Sequence, residues 1–268
     1  MPPSADQQLR NRNRMLRMKF DQIPANYDAM RPRYVPELFA EVIRYARLDQ
    51  HMRAVEVGIG TGQATEPFLH TGCQITAVEI GKALAAYTQR KFAGYRNFSV
   101  INSSFENAQL DEDACDLFYC ASAFHWIPKD IGYTKAFRLL KSGGTFALFF
   151  NRPRPVSAED PTHIAIQEIY AAHGFGKMPA PLTEADSLEI VGDIRAYGFA
   201  DAHYRLYQNR RTFDSKRYLL LMNTYSDHLA MPEAKRIPFE KEIARAIDQN
   251  GGAFTLQDTI DLYLAKKP

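Results

Sequence analysis

Between residues 55 and 65 the chain reads VEVGIGTGQAT, with three glycines at alternate positions running from an apolar stretch into a helical pattern. Gly58, Gly60 and Gly62 permit a sharp turn and let a ligand approach the backbone, because no Cβ stands in the way. A plain strand-to-helix turn would need only one of them. The spacing is GxGxG, whereas a dinucleotide fingerprint reads GxGxxG and seats a pyrophosphate on the helix N-terminus. Glu56, two residues before the first glycine, opposes a pyrophosphate and suits an ammonium group. Glu79 closes a second apolar run about 20 residues beyond the loop, where a carboxylate accepts hydrogen bonds from a ribose diol. The chemistry these residues can do is the capture of a ribose-bearing ligand that also carries a cationic group.

A second group lies in ASAFHWIP, residues 121–128, which holds the only tryptophan beside Phe124 and His125. Aromatics at the carboxyl end of a parallel strand tend to face a ligand. Phe124 and His125 are therefore candidates to line a pocket, while Trp126, followed by Ile127 and Pro128, is expected to anchor the next helix to the sheet. His125 reads either as a general base, since an ordinary imidazole with a pKa of about 6.5 is mostly neutral at pH 7, or as a bystander. His163, His173, His203 and His228 are scattered and show no HExxH or paired-carboxylate spacing, so no metal site is expected.

The elements that must position these groups are legible as alternation. Over residues 53–150 the apolar runs RAVEV (53–57), QITAVE (74–79), NFSVI (97–101), CDLFYCA (115–121) and GTFALFF (144–150) alternate with helical patterns near 62–70, 81–93 and 129–140. That is the pattern of βαβ units on a parallel sheet. Gly143-Gly144 predicts a helix C-cap before the fifth strand. Pro36 opens a helix whose Leu38, Phe39, Val42, Ile43 and Ala46 recur at helical spacing. Beyond 150, NRPRPVSAEDP (151–161) predicts a proline-broken linker, followed by helices through HIAIQEIYAAHG and over about 186–197. ADAHYRLYQNRRTF (200–213) alternates at period two and predicts a strand, helices follow near 215–229 and 232–250, and FTLQDTIDLYLAKK predicts the last strand.

VEVGIGTGQAT, ITAVEIG, INSSFENAQL, DLFYCASAFHWI and LLKSGGTFALFF together resemble a class I S-adenosylmethionine-dependent methyltransferase, in that family's order and spacing over residues 53–150. FDQIPANYDAMRPRYVPEL and the tail are similar to its small-molecule branch, in which trans-aconitate methyltransferase-like proteins are found. The resemblance implies an α/β fold, a Rossmann-like doubly wound seven-stranded mostly parallel sheet with a helical cap. It implies S-adenosylmethionine as cofactor, with S-adenosylhomocysteine as product. By position, the Glu56–Gly62 loop with Gln63 and Thr65 would pass the methionine part, with Glu56 near its amino group. Glu79 would hold the ribose hydroxyls, Ile80 an adenine face, Phe105 the adenine ring through its N–H with Glu106 beside it, and Ala121 the methionine moiety. Where the family often has an acidic residue for the adenine amino group, this chain has Ser104, which leaves that contact open. Tyr27 or Arg31, just ahead of Tyr34, would reach the methionine carboxylate, since a guanidinium suits a carboxylate fork; Arg31 as a surface residue on a proline-rich turn is the other reading. Met222, Tyr225 and Ser226 would face the methyl acceptor from the cap.

Composition bounds the rest. The 268 residues are 46% hydrophobic and 24% charged, ordinary for a compact domain, and the formal charge of +2 points to neither nucleic acid nor membrane. Cys73, Cys115 and Cys120 form no CxxC, and the N-terminus lacks the apolar stretch of a signal peptide, so a cytoplasmic protein is expected. The expected organisation is an N-terminal arm over 1–20 and one methyltransferase domain over 21–268, with its cofactor-binding core at 53–150 and cap segments at about 151–186 and 214–250. The expected activity is methyl transfer to a small-molecule acceptor, at oxygen before nitrogen or carbon, by a monomer or homodimer. An NAD(P)-dependent oxidoreductase and a non-catalytic S-adenosylmethionine-binding protein are the alternatives.

Overall fold

The computed structural model describes residues 18–175 and 180–268. Residues 1–17 of the expected N-terminal arm lie outside them.

A 3-10 turn (Met18–Gln22) leads into α1 (Pro24–Met30) and α2 (Pro36–Ala46), each opened by a proline whose missing N–H costs nothing in a first helical turn. Then follow β1 (Arg53–Val57), α3 (Glu66–Leu69), β2 (Gln74–Glu79), α4 (Lys82–Lys91), β3 (Phe98–Asn102) and β4 (Cys115–Ala121). A 3-10 turn at Phe124–Trp126 precedes α5 (Lys129–Leu139) and β5 (Leu140–Pro155). The remainder is α6 (Pro161–Ala172), α7 (Glu184–Ala196), β6 (Ala200–Phe213), α8 (Ser215–Met222), α9 (Ser226–Ala230), α10 (Glu233–Gln249) and β7 (Phe254–Lys266). No described helix is long and apolar enough to cross a membrane.

The strands form one seven-stranded sheet in the order β3-β2-β1-β4-β5-β7-β6, parallel from β3 to β5, with β7 antiparallel to both its neighbours. The chain enters the sheet in the middle and winds first one way, then the other. Its order therefore reverses between β1 and β4, and a crevice opens beyond the carboxyl ends of those strands. β1 and β4 are buried on both faces, which is why they read as continuous apolar runs rather than alternating ones. One face packs α2 and α3 through Leu38, Phe39 and Phe68; the other packs α5 and α7 through Tyr133, Leu139 and Ile194. A third apolar cluster, with Ile166, Leu221, Phe239 and Ile247, joins α6, α8 and α10 into a cap over the crevice.

Four expectations are corrected. The segment NRPRP is not a linker: β5 continues to Pro155, pairing Asn151 with Ile260 and Pro155 with Leu256. Prolines are tolerated because β4 pairs no further than Phe149, while the Asn151 N–H points to the β4 side. Pro153 and Pro155 share that parity, so their missing N–H groups fall on an unpaired edge. The helix after the glycine loop is only the single turn Glu66–Leu69, because Pro67 cannot donate to the carbonyl of Gln63. α5 ends at Leu139 and not at Gly143; Gly143, at φ +76, instead turns the chain so that its N–H meets the Lys267 carbonyl. The stretch 215–229 is two helices, with Asp214 capping the first through the Arg217 N–H.

Candidate active site

Beyond the carboxyl ends of β1, β2, β4 and β5 lies a cavity of about 920 Å³. Its floor is the glycine loop. Gly58 and Gly60 hold φ +70 and +58, and a Cβ on Gly58 would sit 2.5 Å from that of Ala123. Gly62, at φ +79, does not line the cavity; a Cβ there would overlap the Phe92 ring, so this glycine serves to seat the loop on the core.

Two carboxylates stand at the strand ends. Glu56, 1% exposed, receives hydroxyls from Thr65 and Tyr119, each at 2.7 Å, on its Oε2 atom. Burial pushes its carboxyl up to about 7, against the lowering effect of those two bonds. Glu79 accepts the Gly60 N–H at 2.9 Å and the Gly81 N–H at 2.8 Å, which fixes its plane at the loop; burial raises its pKa too. Both line the cavity. A buried carboxylate near neutral pKa is poised to pair with a cation, and a second, held by backbone on one side, can still accept from hydroxyls.

The cavity also gathers Tyr27, Arg31, Gln63, Ile80, Ser104, Phe105, Ala121, His125 and Tyr225. Thr65 acts from behind, holding Glu56, and Glu106 lies outside the lining. Two expectations exchange places. Phe124, 5% exposed, packs on Tyr133, Phe118 and Phe146 in the core, whereas Trp126 lines the cavity with an edge contact to Phe20. The cause is the tight 3-10 turn, which turns Phe124 inward and leaves the next two side chains at the cavity wall. Met222, expected at the acceptor, is fully buried among the cap helices and does not reach the cavity.

His125 lies on the wall with its side chain open to the cavity; loss of hydration to the protein packed around it, with Arg152 and then Arg31 adding to it, lowers its imidazole to about 4. It is neutral at pH 7 and too weak a base for the role that an ordinary histidine would fill. Arg31 reaches the cap rather than solvent: Nη2 donates to the Thr224 carbonyl at 2.8 Å, and the guanidinium lies over the Tyr27 and Tyr225 rings at 4.9 and 5.0 Å. Its Nε is buried with no hydrogen-bond partner among the described residues.

Sequence reasoning missed much of the upper wall: Ser122, Asn151, Arg152, Tyr170, Asp227 and His228. Arg152 is held by the buried Asp261 through Nε and Nη2, and His228 Nε2 pairs with the Tyr170 hydroxyl at 2.9 Å. These residues come from the end of β4, β5, α6 and α9, with no local pattern to link them.

Residues 55–148 match the methyltransferase domain family. An uncharacterized methyltransferase-like protein of Schizosaccharomyces pombe is 24% identical over 220 residues, 82% of each chain. Among solved structures, a protein of Anaeromyxobacter dehalogenans described as a type II methyltransferase superposes with a TM-score of 0.62 at 18% identity, over 88% of this chain and 97% of its own. Phosphoethanolamine N-methyltransferase 2 of Haemonchus contortus, bound to phosphomonomethylethanolamine and S-adenosylhomocysteine, gives 0.54 at 12% identity, over 92% of this chain and 57% of its own. The fold is that of the solved methyltransferases, and the glycine loop lies within the segment that matches the family's domain. The chain is an S-adenosylmethionine-dependent methyltransferase, with residues 55–148 as its methyltransferase domain.

Proposed function

We propose that the chain methylates a small molecule, at oxygen in preference to nitrogen or carbon, and that S-adenosylhomocysteine is the second product. The observation that carries this is the single cavity joining Glu56 and Glu79 to Tyr225 and His228 of the cap. Its volume of about 920 Å³ is that of a small-ligand site, and a roofed cavity suits a whole small molecule better than a polymer.

When bound, the cofactor supplies a methyl group on a sulfonium, and its displacement requires no proton on the leaving group. Glu56 would take the ammonium of the methionine part, Glu79 the ribose hydroxyls, and Arg31, through its unpartnered Nε, the carboxylate. The Phe105 N–H and the Ser104 side chain would meet the adenine. At the other end Asp227, whose carboxylate accepts the His228 N–H at 3.0 Å, is the single carboxylate of the described lining there, a poor match for an ammonium-bearing acceptor. That favours an oxygen nucleophile. Neutral His125 would orient this oxygen by hydrogen bonding; an oxygen that arrives ionised has no proton to give up and needs no base, so orientation and partial desolvation supply most of the rate.

The test has two arms. S-adenosylhomocysteine should raise the melting temperature and NADH should not; a rise with NADH alone overturns the reading. Labelled methyl from S-adenosylmethionine should then appear in a fraction of a small-metabolite extract, and transfer only into RNA or protein would refute the proposed acceptor class.

A further inference from the structure

Ser122 follows β4 at φ +54, a left-handed value for a residue with a side chain. Such a conformation persists where the surroundings over-determine it, and it clusters at ligand sites. Its Oγ accepts the Asn151 N–H at 3.1 Å and shares a bond of 2.8 Å with the Tyr34 hydroxyl. The two hydroxyls carry two protons and the bond between them uses one. The other has no further protein acceptor among the described residues, and both residues line the cavity. Asn151 lines it as well, and its amide Nδ2 and Oδ1 are buried, both without a partner among the described residues. A wholly orphaned buried amide is rare and calls for a partner.

We propose that Tyr34, Ser122 and Asn151 form the subsite that grips the polar end of the methyl acceptor, and that this end is a neutral group with both a donor and an acceptor, such as a carboxamide. This rests on the methyl-transfer reading. A carboxamide answers Nδ2 and Oδ1 of Asn151 at once, whereas a carboxylate would set an anion against Oδ1 and an ammonium would set a cation against Nδ2. Arg152 does not tip the choice to an anion, because its guanidinium is held by Asp261. Phe150, Tyr170 and Tyr225 on the same cavity suit a planar apolar body.

The experiment titrates the full chain, saturated with S-adenosylhomocysteine, with benzamide and with benzoate as probes, by calorimetry or ligand-observed NMR. Benzamide should bind saturably and at least tenfold more tightly than benzoate. Asn151→Asp and Ser122→Gly, the latter with a residue at ease at positive φ, should each weaken benzamide at least tenfold while S-adenosylhomocysteine affinity stays within about twofold. Absence of benzamide binding, benzoate binding as tightly, benzamide binding that survives both substitutions, or loss of S-adenosylhomocysteine binding in both variants overturns the subsite. Failure of the wild-type chain to bind S-adenosylhomocysteine would overturn the methyl-transfer reading, and the subsite with it.

Discussion

The two ends of the cavity are made differently. The cofactor end comes from consecutive βα units: the loop 58–60 after β1, Glu79 at the tip of β2, residues 103–105 after β3 and Ala121 at the tip of β4. Each is a strand end, so a single crossover pattern brings them to one edge of the sheet. The acceptor end draws on α1, β5, α6, α8, α9 and β7, remote in sequence and joined by cross-chain ties such as Arg31 to Thr224 and Asn26 to Leu220. One end is a property of a local repeat, the other a property of assembly. Substitutions at the first should therefore act on cofactor affinity, and those at the second on acceptor handling, unless the side chain belongs to the shared core.

The largest effect is expected where such a core residue borders the site. Phe124→Ala should cost about 3–5 kcal/mol of stability, a fall in melting temperature of order 10 °C. Trp126→Ala should change it by no more than about 1 kcal/mol. Melting curves of the two variants check this, and a reversed order would return Phe124 to the cavity.

Glu79→Ala comes next. Loss of a carboxylate that would meet the ribose hydroxyls should weaken S-adenosylhomocysteine about 100-fold by calorimetry, with acceptor handling untouched. A change under threefold would place the ribose elsewhere.

Glu56 sharpens the comparison through pH. Its carboxyl rises from an ordinary 4.5 to about 7 in the fold, so the folded state binds this proton more tightly than the unfolded one. The stabilisation is fully present below about 4.5 and is lost as pH rises through about 7, on the order of 3 kcal/mol. Without ligand, thermal stability should fall between pH 5 and 8, and Glu56→Gln should reduce the slope without abolishing it, since the raised Glu79 acts in the same direction. Affinity for S-adenosylhomocysteine should rise over the same interval, because the ionised carboxylate is the partner of the ammonium. A pH-independent affinity would separate Glu56 from that role.

The smallest effect is expected at His125. Held neutral down to about pH 4, it should show no limb near 6.5 in the rate profile, and His125→Asn should lower labelled-methyl transfer less than tenfold. A loss above about 100-fold together with a limb near neutral pH would restore the general base.

What was legible in the sequence follows the same division. Five of the expected strands, 53–57, 74–79, 115–121, 200–213 and the one starting at 254, have the expected starts in the structure. The glycine loop and Glu79 stand where their spacing put them. Phe124 and Trp126 were not separable, since adjacent residues in an irregular turn have no periodic face to read. Gly62 read as ligand-facing only because its contact, Phe92, lies 30 positions away on the far side of α4.

The sequence by itself determined the parallel sheet, the carboxyl-end loop and its two carboxylates, because strand periodicity, positive-φ glycine and acidic spacing are local properties that survive in one dimension. Only the tertiary structure decided that β5 outruns its prolines, that Arg31 is tied to the cap, that partial desolvation and two arginines lower the basicity of His125, and that Tyr34, Ser122 and Asn151 meet. Those outcomes depend on which buried groups from distant segments face one another, and desolvation and hydrogen-bond partnership exist only once the chain has closed around them.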